Sequence, residues 1–213
     1  MAAEHGVLEA VERYYGAKIA EHGPTARGVD WNDEASQELR FEQLLKVGDL
    51  GEPFTIIDYG CGYGALADYL DRLGARCAYT GFDIAERMLE QARARSGSAG
   101  SRRFVADEDD LAAADYTVAS GIFNVKVDAA AGDWESHVLA TLQRLDALST
   151  RGFSFNMLTS YSDPERMRPD LHYADPGAIF DHCKRTFSRR VALLHDYGLY
   201  EFTILVRKEP AAE

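Results

Sequence analysis

The stretch from residue 54 to 65 constrains the fold more than any other part of this chain. An apolar run predicts a buried parallel strand, and the run ends at an acid, Asp58. Three glycines follow at alternate positions: Gly60, Gly62 and Gly64. A helical pattern of leucines comes next. Strand, glycine turn and helix open a nucleotide-binding βαβ unit, because glycine lets the backbone approach a ligand where a Cβ would collide.

The glycine turn fits two classes of ligand. The spacing from Gly60 to Ala65 satisfies the loose dinucleotide pattern of nicotinamide enzymes. However, Asp58 suits a cationic ligand group better than a pyrophosphate. The whole turn, an acid followed by three alternate glycines, resembles the first motif of the class I S-adenosylmethionine-dependent methyltransferases. The resemblance implies that S-adenosylmethionine is the cofactor, and that Asp58 and the three glycines bind it.

A second strand ends in Asp83, 25 residues after Asp58. An acid at this point accepts hydrogen bonds from both hydroxyls of a ribose, in NAD and in S-adenosylmethionine alike. Asp83 is also placed to cap the helix predicted over 85–95, and the two roles are compatible. We expect Ile84 and Met88 to pack on the adenine ring.

Two further strands complete the pattern. One ends at Asp107, where the resemblance implies an acceptor for the adenine amino group; the alternative is an N-cap of the segment 108–113. The next strand ends near Ser120. In the resembled family the loop after it faces the sulfonium and the methyl acceptor, which implies cofactor contacts for Ser120 and Ile122. Asn124 is either a polar group offered to the acceptor or the cap of a turn.

The C-terminal pattern indicates how the sheet closes. Apolar strands over 190–195 and 199–206 are joined by a short glycine-containing connection, which predicts an antiparallel hairpin. We therefore predict an α/β fold, a single Rossmann-like, doubly wound, mostly parallel sheet of seven strands that ends in this hairpin. A nicotinamide domain would add a sixth parallel strand instead.

The predicted elements divide the chain into three parts. Residues 1–50 form an N-terminal helical lid or extension, with helices over 4–22 and from Asn32 or Asp33 to residue 47. Residues 51–207 form the S-adenosylmethionine-binding core, and 208–213 form a frayed tail. The core strands are expected at 54–59, 77–82, 103–106, 115–119 and 153–158, and the later helices at 132–149 and 176–187.

The N-terminal loop from residue 23 to 31 is rich in residues that fix or free the backbone, and it carries an aromatic ring. We expect it to fold over the cofactor as a lid that excludes water, with Lys18, Thr25 and Trp31 contacting the ligand. Arg40, on the next helix, is expected to pair with the methionine carboxylate of the cofactor or to be a solvated helix charge.

Segments at the carboxyl edge of the sheet supply weaker candidates for the acceptor side. Tyr161 follows the fifth strand and His195 lies at the hairpin turn, where ligands bind in open α/β folds. Together with Asn124, they are the candidate catalytic residues. The pattern singles out no general base, and His172, His182 and Cys183 lack metal-ligand spacing, so we expect no metal.

Charge and composition narrow the partners. The formal net charge of −12 opposes a nucleic-acid substrate, whose binding relies on phosphate neutralisation. No apolar run is long enough to cross a bilayer, and the N-terminus lacks the pattern of a signal peptide. Three scattered cysteines are typical of reduced thiols, so we expect a cytoplasmic protein. Nothing in the sequence defines the oligomeric state.

The sequence thus favours an S-adenosylmethionine-dependent methyltransferase that acts on an O or N atom of a small molecule by in-line displacement. One alternative is a catalytically silent S-adenosylmethionine-binding subunit that requires a partner. The other is a nicotinamide-dependent oxidoreductase.

Overall fold

A seven-stranded sheet with helices on both faces forms the body of the protein in a computed structural model, which describes residues 2–29, 31, 33–96 and 102–209. The helices are α1 (Ala2–His22), α2 (Glu34–Leu45), α3 (Ala65–Arg72), α4 (Glu86–Ser96), α5 (Ala131–Ala147) and α6 (Pro176–Thr186). The strands are β1 (Phe54–Tyr59), β2 (Cys77–Phe82), β3 (Arg102–Val105), β4 (Ala114–Ala119), β5 (Ser149–Leu158), β6 (Arg190–Leu194) and β7 (Glu201–Arg207). Short 3-10 helices lie at Ala26–Val29, Glu108–Asp110 and Pro164–Arg166.

The order of strands across the sheet is β3-β2-β1-β4-β5-β7-β6. Strands β1 to β5 pair in parallel, and β7 runs antiparallel to both of its neighbours. The chain reverses its direction of winding between β1 and β4, and ligands of open α/β sheets bind beyond the carboxyl ends of the strands at such a point. The predicted fold class is confirmed, including the closing hairpin.

The start of the fifth strand and the length of the closing connection differ most from the prediction. The fifth strand begins at Ser149 rather than at residue 153, because it pairs with Ala114 before a register irregularity near Tyr116 interrupts the ladder. The connection between β6 and β7 spans residues 195–200, twice the predicted length. Alternation of side chains did not indicate either feature, because a bulge and a wide turn both break the period of two.

Two apolar layers hold the helices to the sheet. Phe41 of α2 and Leu66 of α3 pack on one face, and Trp134 of α5 and Cys183 of α6 pack on the other. Helix α2 begins at the expected cap: the carboxylate of Asp33 accepts a hydrogen bond from the backbone N–H of Ser36 at 2.7 Å. The alternative cap, Asn32, lies outside the described residues, as does the predicted tail beyond residue 209.

Helix α1 lies beside α4 and α5 rather than against the centre of the sheet. Its Ile19 is buried in a small cluster with Tyr63 and Met88, next to the glycine turn. The chain then turns back through the 3-10 helix Ala26–Val29 before it enters α2. This path carries the N-terminal loop to the carboxyl edge of the sheet.

Candidate functional site

The glycine turn between β1 and α3 adopts a backbone that only glycine accommodates without strain. Gly60, Gly62 and Gly64 have φ angles of 81°, 53° and 82°. A Cβ on Gly60 would lie 2.3 Å from Cγ2 of Ile122. The turn is tied to β2, because the N–H groups of Gly60 and Cys61 both donate to the carbonyl of Phe82, at 2.8 and 2.9 Å.

Asp83 braces the turn from the end of β2. One carboxylate oxygen accepts from the N–H of Gly62 at 2.8 Å, and the other accepts from the N–H of Ala85 at 2.9 Å. The carboxylate therefore links the glycine turn to the start of α4. Each oxygen retains a second lone pair, so this arrangement is compatible with hydroxyl donors from a ligand. Burial raises the pKa of Asp83 to about 6, in spite of these two hydrogen bonds.

Asp58 lies at the centre of the site, on the penultimate residue of β1. It is 2% exposed, and the hydroxyl of Tyr79 donates to its Oδ2 at 2.7 Å. Burial raises the pKa of Asp58 to about 7, and the nearby charge of Asp83 adds to the rise. A cationic ligand group would stabilise the ionised form of this carboxylate.

A narrow cavity of about 40 Å³ lies between the glycine turn and the N-terminal loop. Its lining residues are Val29, Trp31, Gln37, Phe41, Asp58, Gly60, Cys61, Gly62, Tyr63, Ala65 and Ser120. We call residues 24–29 together with Trp31 the roof segment. Val29 sits close to Gly62, where an added Cβ would meet its Cγ1 at 3.2 Å. The indole of Trp31 packs on Gly121, where an added Cβ would lie 2.3 Å from Cζ2.

The other predicted lid residues do not line this cavity. The ammonium of Lys18 lies 5.5 Å from the ring centroid of Tyr14, and the hydroxyl of Thr25 donates to the carbonyl of His22 at 3.1 Å. Their contact with a ligand stays a prediction.

Arg40 has a protein partner where we expected a ligand or solvent. It is 6% exposed, and its Nε lies 2.9 and 3.0 Å from the two carboxylate oxygens of Glu201 on β7. Its Nη1 donates to the carbonyl of Ser36 at 2.7 Å. The solvated-charge interpretation is wrong, and Glu201 takes the place expected for the methionine carboxylate. Glu201 lies 161 residues away in the sequence, so helical spacing around Arg40 could not reveal it.

The residues predicted to meet the adenine differ in setting. Ile84 is half-buried, whereas Met88 is 1% exposed within the cluster that α1 and α4 share. Asp107 is exposed, and its carboxylate accepts from the N–H of Asp109 at 3.0 Å. It therefore caps the 3-10 helix Glu108–Asp110, and its predicted contact with the adenine amino group stays a prediction.

The loop after β4 brings polar groups to the same edge. The buried hydroxyl of Ser120 has no hydrogen-bond partner within the part of the chain that the structure describes. Asn124 is 4% exposed, and its Oδ1 accepts from the N–H of Leu158 at 3.0 Å. Its Nδ2 is buried and, among the described residues, has no partner. Ile122 covers Gly60, as described above.

Tyr161 and His195 meet on the surface at the carboxyl edge. Their ring centroids are 5.8 Å apart, and the side chain of Tyr161 is 76% exposed. Neither residue lines the cavity beside the glycine turn. Among the described residues, no group of three or more His, Cys, Asp or Glu side chains is arranged to hold a metal ion.

Several residues of the site were not predicted. Cys61 and Tyr63 occupy the positions between the glycines, so the motif itself contained the signal. Gln37 precedes Arg40 by one helical turn and accepts a hydrogen bond from the hydroxyl of Tyr63 at 2.8 Å. Glu201 and its neighbour Asn156 on β5, whose side-chain amide donates to the Glu201 carboxylate, carried no signal, because each is a polar residue within or beside an apolar strand.

Comparison with known proteins agrees with this geometry. Residues 56–151 match the family described as "Methyltransferase domain". The chain is 54% identical over 164 residues to "Putative methyltransferase Rv1506c" of Mycobacterium tuberculosis, across 77% of this chain and 99% of the relative.

Two solved structures share the fold. Human N-acetylserotonin methyltransferase, in complex with SAM, has a TM-score of 0.64 at 21% identity, over 95% of this chain and 59% of that chain. Burkholderia thailandensis 1,6-didemethyltoxoflavin-N1-methyltransferase has a TM-score of 0.62 at 19% identity, over 98% and 91% of the two chains. That structure holds 1,6-didemethyltoxoflavin and S-adenosylhomocysteine.

The fold and the acid-and-glycine site define a class I methyltransferase domain. On the strength of its relatives, this chain belongs to the class I S-adenosylmethionine-dependent methyltransferase family. S-Adenosylmethionine is the methyl donor of that family. The family and the antiparallel β7 both oppose the nicotinamide alternative. Within the described residues, no helix combines the length and the apolar character needed to cross a membrane.

Proposed function

We propose that this protein transfers a methyl group from S-adenosylmethionine to an O or N atom of a small molecule by in-line displacement. The observation that carries the proposal is the convergence of Asp58, Asp83 and the glycine turn at the carboxyl ends of β1 and β2. Asp58 and Asp83 both have raised pKa values and lie beside the glycine turn, whose backbone carries no side chains at its glycines. Such a site suits a ligand that offers an ammonium group and ribose hydroxyls.

The residues present fit the donor. Asp58 would accept from the ammonium of its methionine part, and the glycine turn would lie along that part. Asp83 would accept from the ribose hydroxyls, and Asp107 would accept from the adenine amino group between Ile84 and Met88. Ser120 and Ile122 would line the sulfonium end. The hydroxyl of Ser120 is buried and has no hydrogen-bond partner among the described residues, which supports a polar ligand contact there.

When bound, the donor supplies a methyl carbon made electrophilic by positively charged sulfur. The contribution of the protein is then mainly to align the acceptor atom with that carbon and to keep water away. Val29 and Trp31 of the roof segment suit the second task. A cavity of about 40 Å³ is far smaller than the several hundred Å³ of a ligand pocket, so we expect the roof segment to move when the donor enters.

Charge and neighbouring enzymes support a small acceptor. The net charge of −12 disfavours a polyanionic substrate. The two enzymes of known structure described above are named for N-acetylserotonin and 1,6-didemethyltoxoflavin, which are small molecules. Asn124, Tyr161 and His195 are the residues we propose for the acceptor side, because they surround the carboxyl edge next to the loop after β4.

Methyl transfer can be tested with donor labelled in the methyl group. The purified protein is incubated with labelled donor and separate pools of small hydroxyl compounds, small amines, bulk tRNA, duplex DNA and unfolded peptide. We expect label to enter a small-molecule pool, and Asp83→Asn to abolish the transfer. Transfer only to a polymer would refute the small-molecule proposal. Donor binding without transfer to any pool would favour the catalytically silent subunit.

A further inference from the structure

A buried ion pair connects the N-terminal helices to the last strand. The side chains of Arg40 and Glu201 are only 7% and 2% exposed, and Arg40 Nη2 lies 2.5 Å from Oε1 of Glu201. The second carboxylate oxygen of Glu201 also accepts from the side-chain amide of Asn156 on β5. Arg40 and Asn156 therefore donate hydrogen bonds to both oxygens of this buried carboxylate.

Both ends of this ion pair lead to the methyl-transfer site. The amide oxygen of Asn156 accepts from the N–H of Gly121 at 2.8 Å, and Gly121 directly follows Ser120 in the loop after β4. On the other side, the guanidinium carbon of Arg40 lies 3.8 Å from the ring centroid of Trp31. Trp31 in turn packs on Gly121. Each residue contacts the next, and together they form a closed ring of contacts: Trp31, Arg40, Glu201, Asn156 and Gly121.

The stability of the fold is a weak explanation for a buried ion pair in this ring of contacts. A buried ion pair loses most of its Coulombic gain to desolvation, and apolar residues of similar volume often serve the fold as well or better. An apolar pair, however, would not fix the orientation of the groups around it. A carboxylate that meets Nε and Nη2 fixes the plane of the guanidinium, and a fixed guanidinium stacks on an indole. The same carboxylate orients the Asn156 amide, which then presents its oxygen to Gly121.

We propose that Glu201 is a positioning residue for methyl transfer. Through Arg40 it seats the Trp31 indole in the roof segment, and through Asn156 it holds the Gly121 backbone beneath that indole. The roof segment and the loop after β4 are thus kept in contact beside the cavity, which Trp31 and Ser120 both line. The positioning role rests on the proposed donor site, whereas the seating of Trp31 is a property of the protein by itself.

The first arm of the test is made without any ligand. The protein is labelled with 5-fluorotryptophan, which gives one fluorine NMR signal for Trp31 and one for Trp134, assigned by the loss of one signal in Trp31→Phe. The main variant is Arg40→Met/Glu201→Gln. It removes both charges but leaves an amide oxygen that can accept from Asn156. We expect the Trp31 signal to move toward that of the free amino acid, while the fully buried Trp134 stays unchanged.

Arg102→Met is the matched control. Arg102 also has a side chain that is only 6% exposed and pairs with two carboxylates, of Asp68 and Asp71, but it lies at the amino end of β3. We expect this variant to leave the Trp31 signal in place. If Trp134 also shifts in the double variant, Arg40→Lys decides: lysine keeps the charge but lacks the planar stack, so movement of Trp31 alone supports the proposal.

The second arm measures the affinity for S-adenosylhomocysteine by calorimetry. We expect the double variant to bind about tenfold more weakly than the wild type, and Arg102→Met to bind like the wild type. An unchanged Trp31 signal and unchanged affinity in a folded double variant would overturn the positioning role. Failure of the wild type to bind the ligand would refute the proposed function instead, and the ligand-free NMR result would still stand.

Discussion

The two sides of the site are built over different distances in the sequence. On the donor side, Asp83 reaches Gly62 and Tyr79 reaches Asp58, in each case across 21 residues. On the roof side, Arg40 reaches Glu201 across 161 residues. A single βαβ unit therefore brings together Asp58, Asp83 and the glycine turn, whereas the roof side requires the N-terminal helices to meet the last strand. The donor side can therefore be identified from a sequence motif, whereas the contacts of the roof side become visible only in the folded structure.

The two sides also differ in electrostatics. Within the described part of the chain, no cation is among the groups that set the pKa values of Asp58 and Asp83, and burial raises both pKa values. Glu201 is as buried as Asp58, yet its charge is balanced by Arg40. The donor side thus retains negative charge that a cationic ligand can satisfy, while the roof side is satisfied within the protein. We expect ligand binding to depend strongly on the donor side and to be adjusted by the roof side.

The largest effect is expected from Gly60→Ala on the donor side. An L-residue at φ 81° is strained, and its Cβ would also collide with Ile122 at 2.3 Å. We expect S-adenosylhomocysteine binding to fall below detection by calorimetry. Gly74→Ala is the control, because Gly74 has a φ of 68° but open space around it. That control should lose about 1–2 kcal/mol of stability from strain and bind normally. Equal binding by both variants would contradict the role of the glycine turn.

A second prediction concerns protons on Asp58. Burial raises the pKa of Asp58 from its ordinary value of 3.8 to about 7 in the folded protein, so the folded state binds the proton more tightly. The free energy of unfolding should therefore fall as the pH rises from about 4 to 7. Asp58→Asn should flatten this slope in denaturant titrations, since asparagine can still accept from Tyr79.

The same carboxyl should make ligand binding proton-linked. At pH 6.5 the ammonium of S-adenosylhomocysteine favours the ionised form of Asp58, so binding should release a proton. Calorimetry in two buffers of different ionisation enthalpy measures this release. Binding that is independent of the buffer in the wild type would show that Asp58 does not face the ammonium.

A smaller effect is expected from Tyr161→Ala, at a residue outside the roof segment. The ring is exposed beside His195 and does not line the cavity beside the glycine turn. Loss of an aromatic contact of about 1 kcal/mol predicts a roughly fivefold rise in KM for the acceptor, with unchanged affinity for S-adenosylhomocysteine. Leu73→Ala, at an exposed apolar residue after α3, is the control and should change neither quantity. A matching loss of S-adenosylhomocysteine affinity would place Tyr161 on the donor side.

The smallest effect is expected from Asp107→Ala. Loss of the cap on the 3-10 helix should cost about 0.5–1 kcal/mol, and loss of the adenine contact should weaken S-adenosylhomocysteine binding a few-fold. An analogue with hypoxanthine in place of adenine lacks the amino group, so the substitution should not weaken its binding. Asp110→Ala, in the same 3-10 helix, is the control. Equal losses for both ligands would reduce Asp107 to a cap.

The parts of the structure that were predictable from the sequence are those with local causes. The glycine turn, the cap at Asp33 and the start of α6 at Pro176 depend on residues within one turn of each other. The antiparallel hairpin was predictable because two apolar strands flank a glycine. The partner of Arg40 was not, because a glutamate at the start of an apolar strand looks the same whether it faces solvent or a buried guanidinium.

The most direct test of the account is calorimetric titration of S-adenosylhomocysteine into the wild type and Asp83→Ala. Asp83 joins the glycine turn to α4 through two backbone hydrogen bonds and is the proposed ribose acceptor. We predict micromolar binding to the wild type and none to the folded variant, with the fold checked by circular dichroism. Equal affinity in both proteins, or no binding to the wild type, would contradict a donor site at the carboxyl ends of β1 and β2.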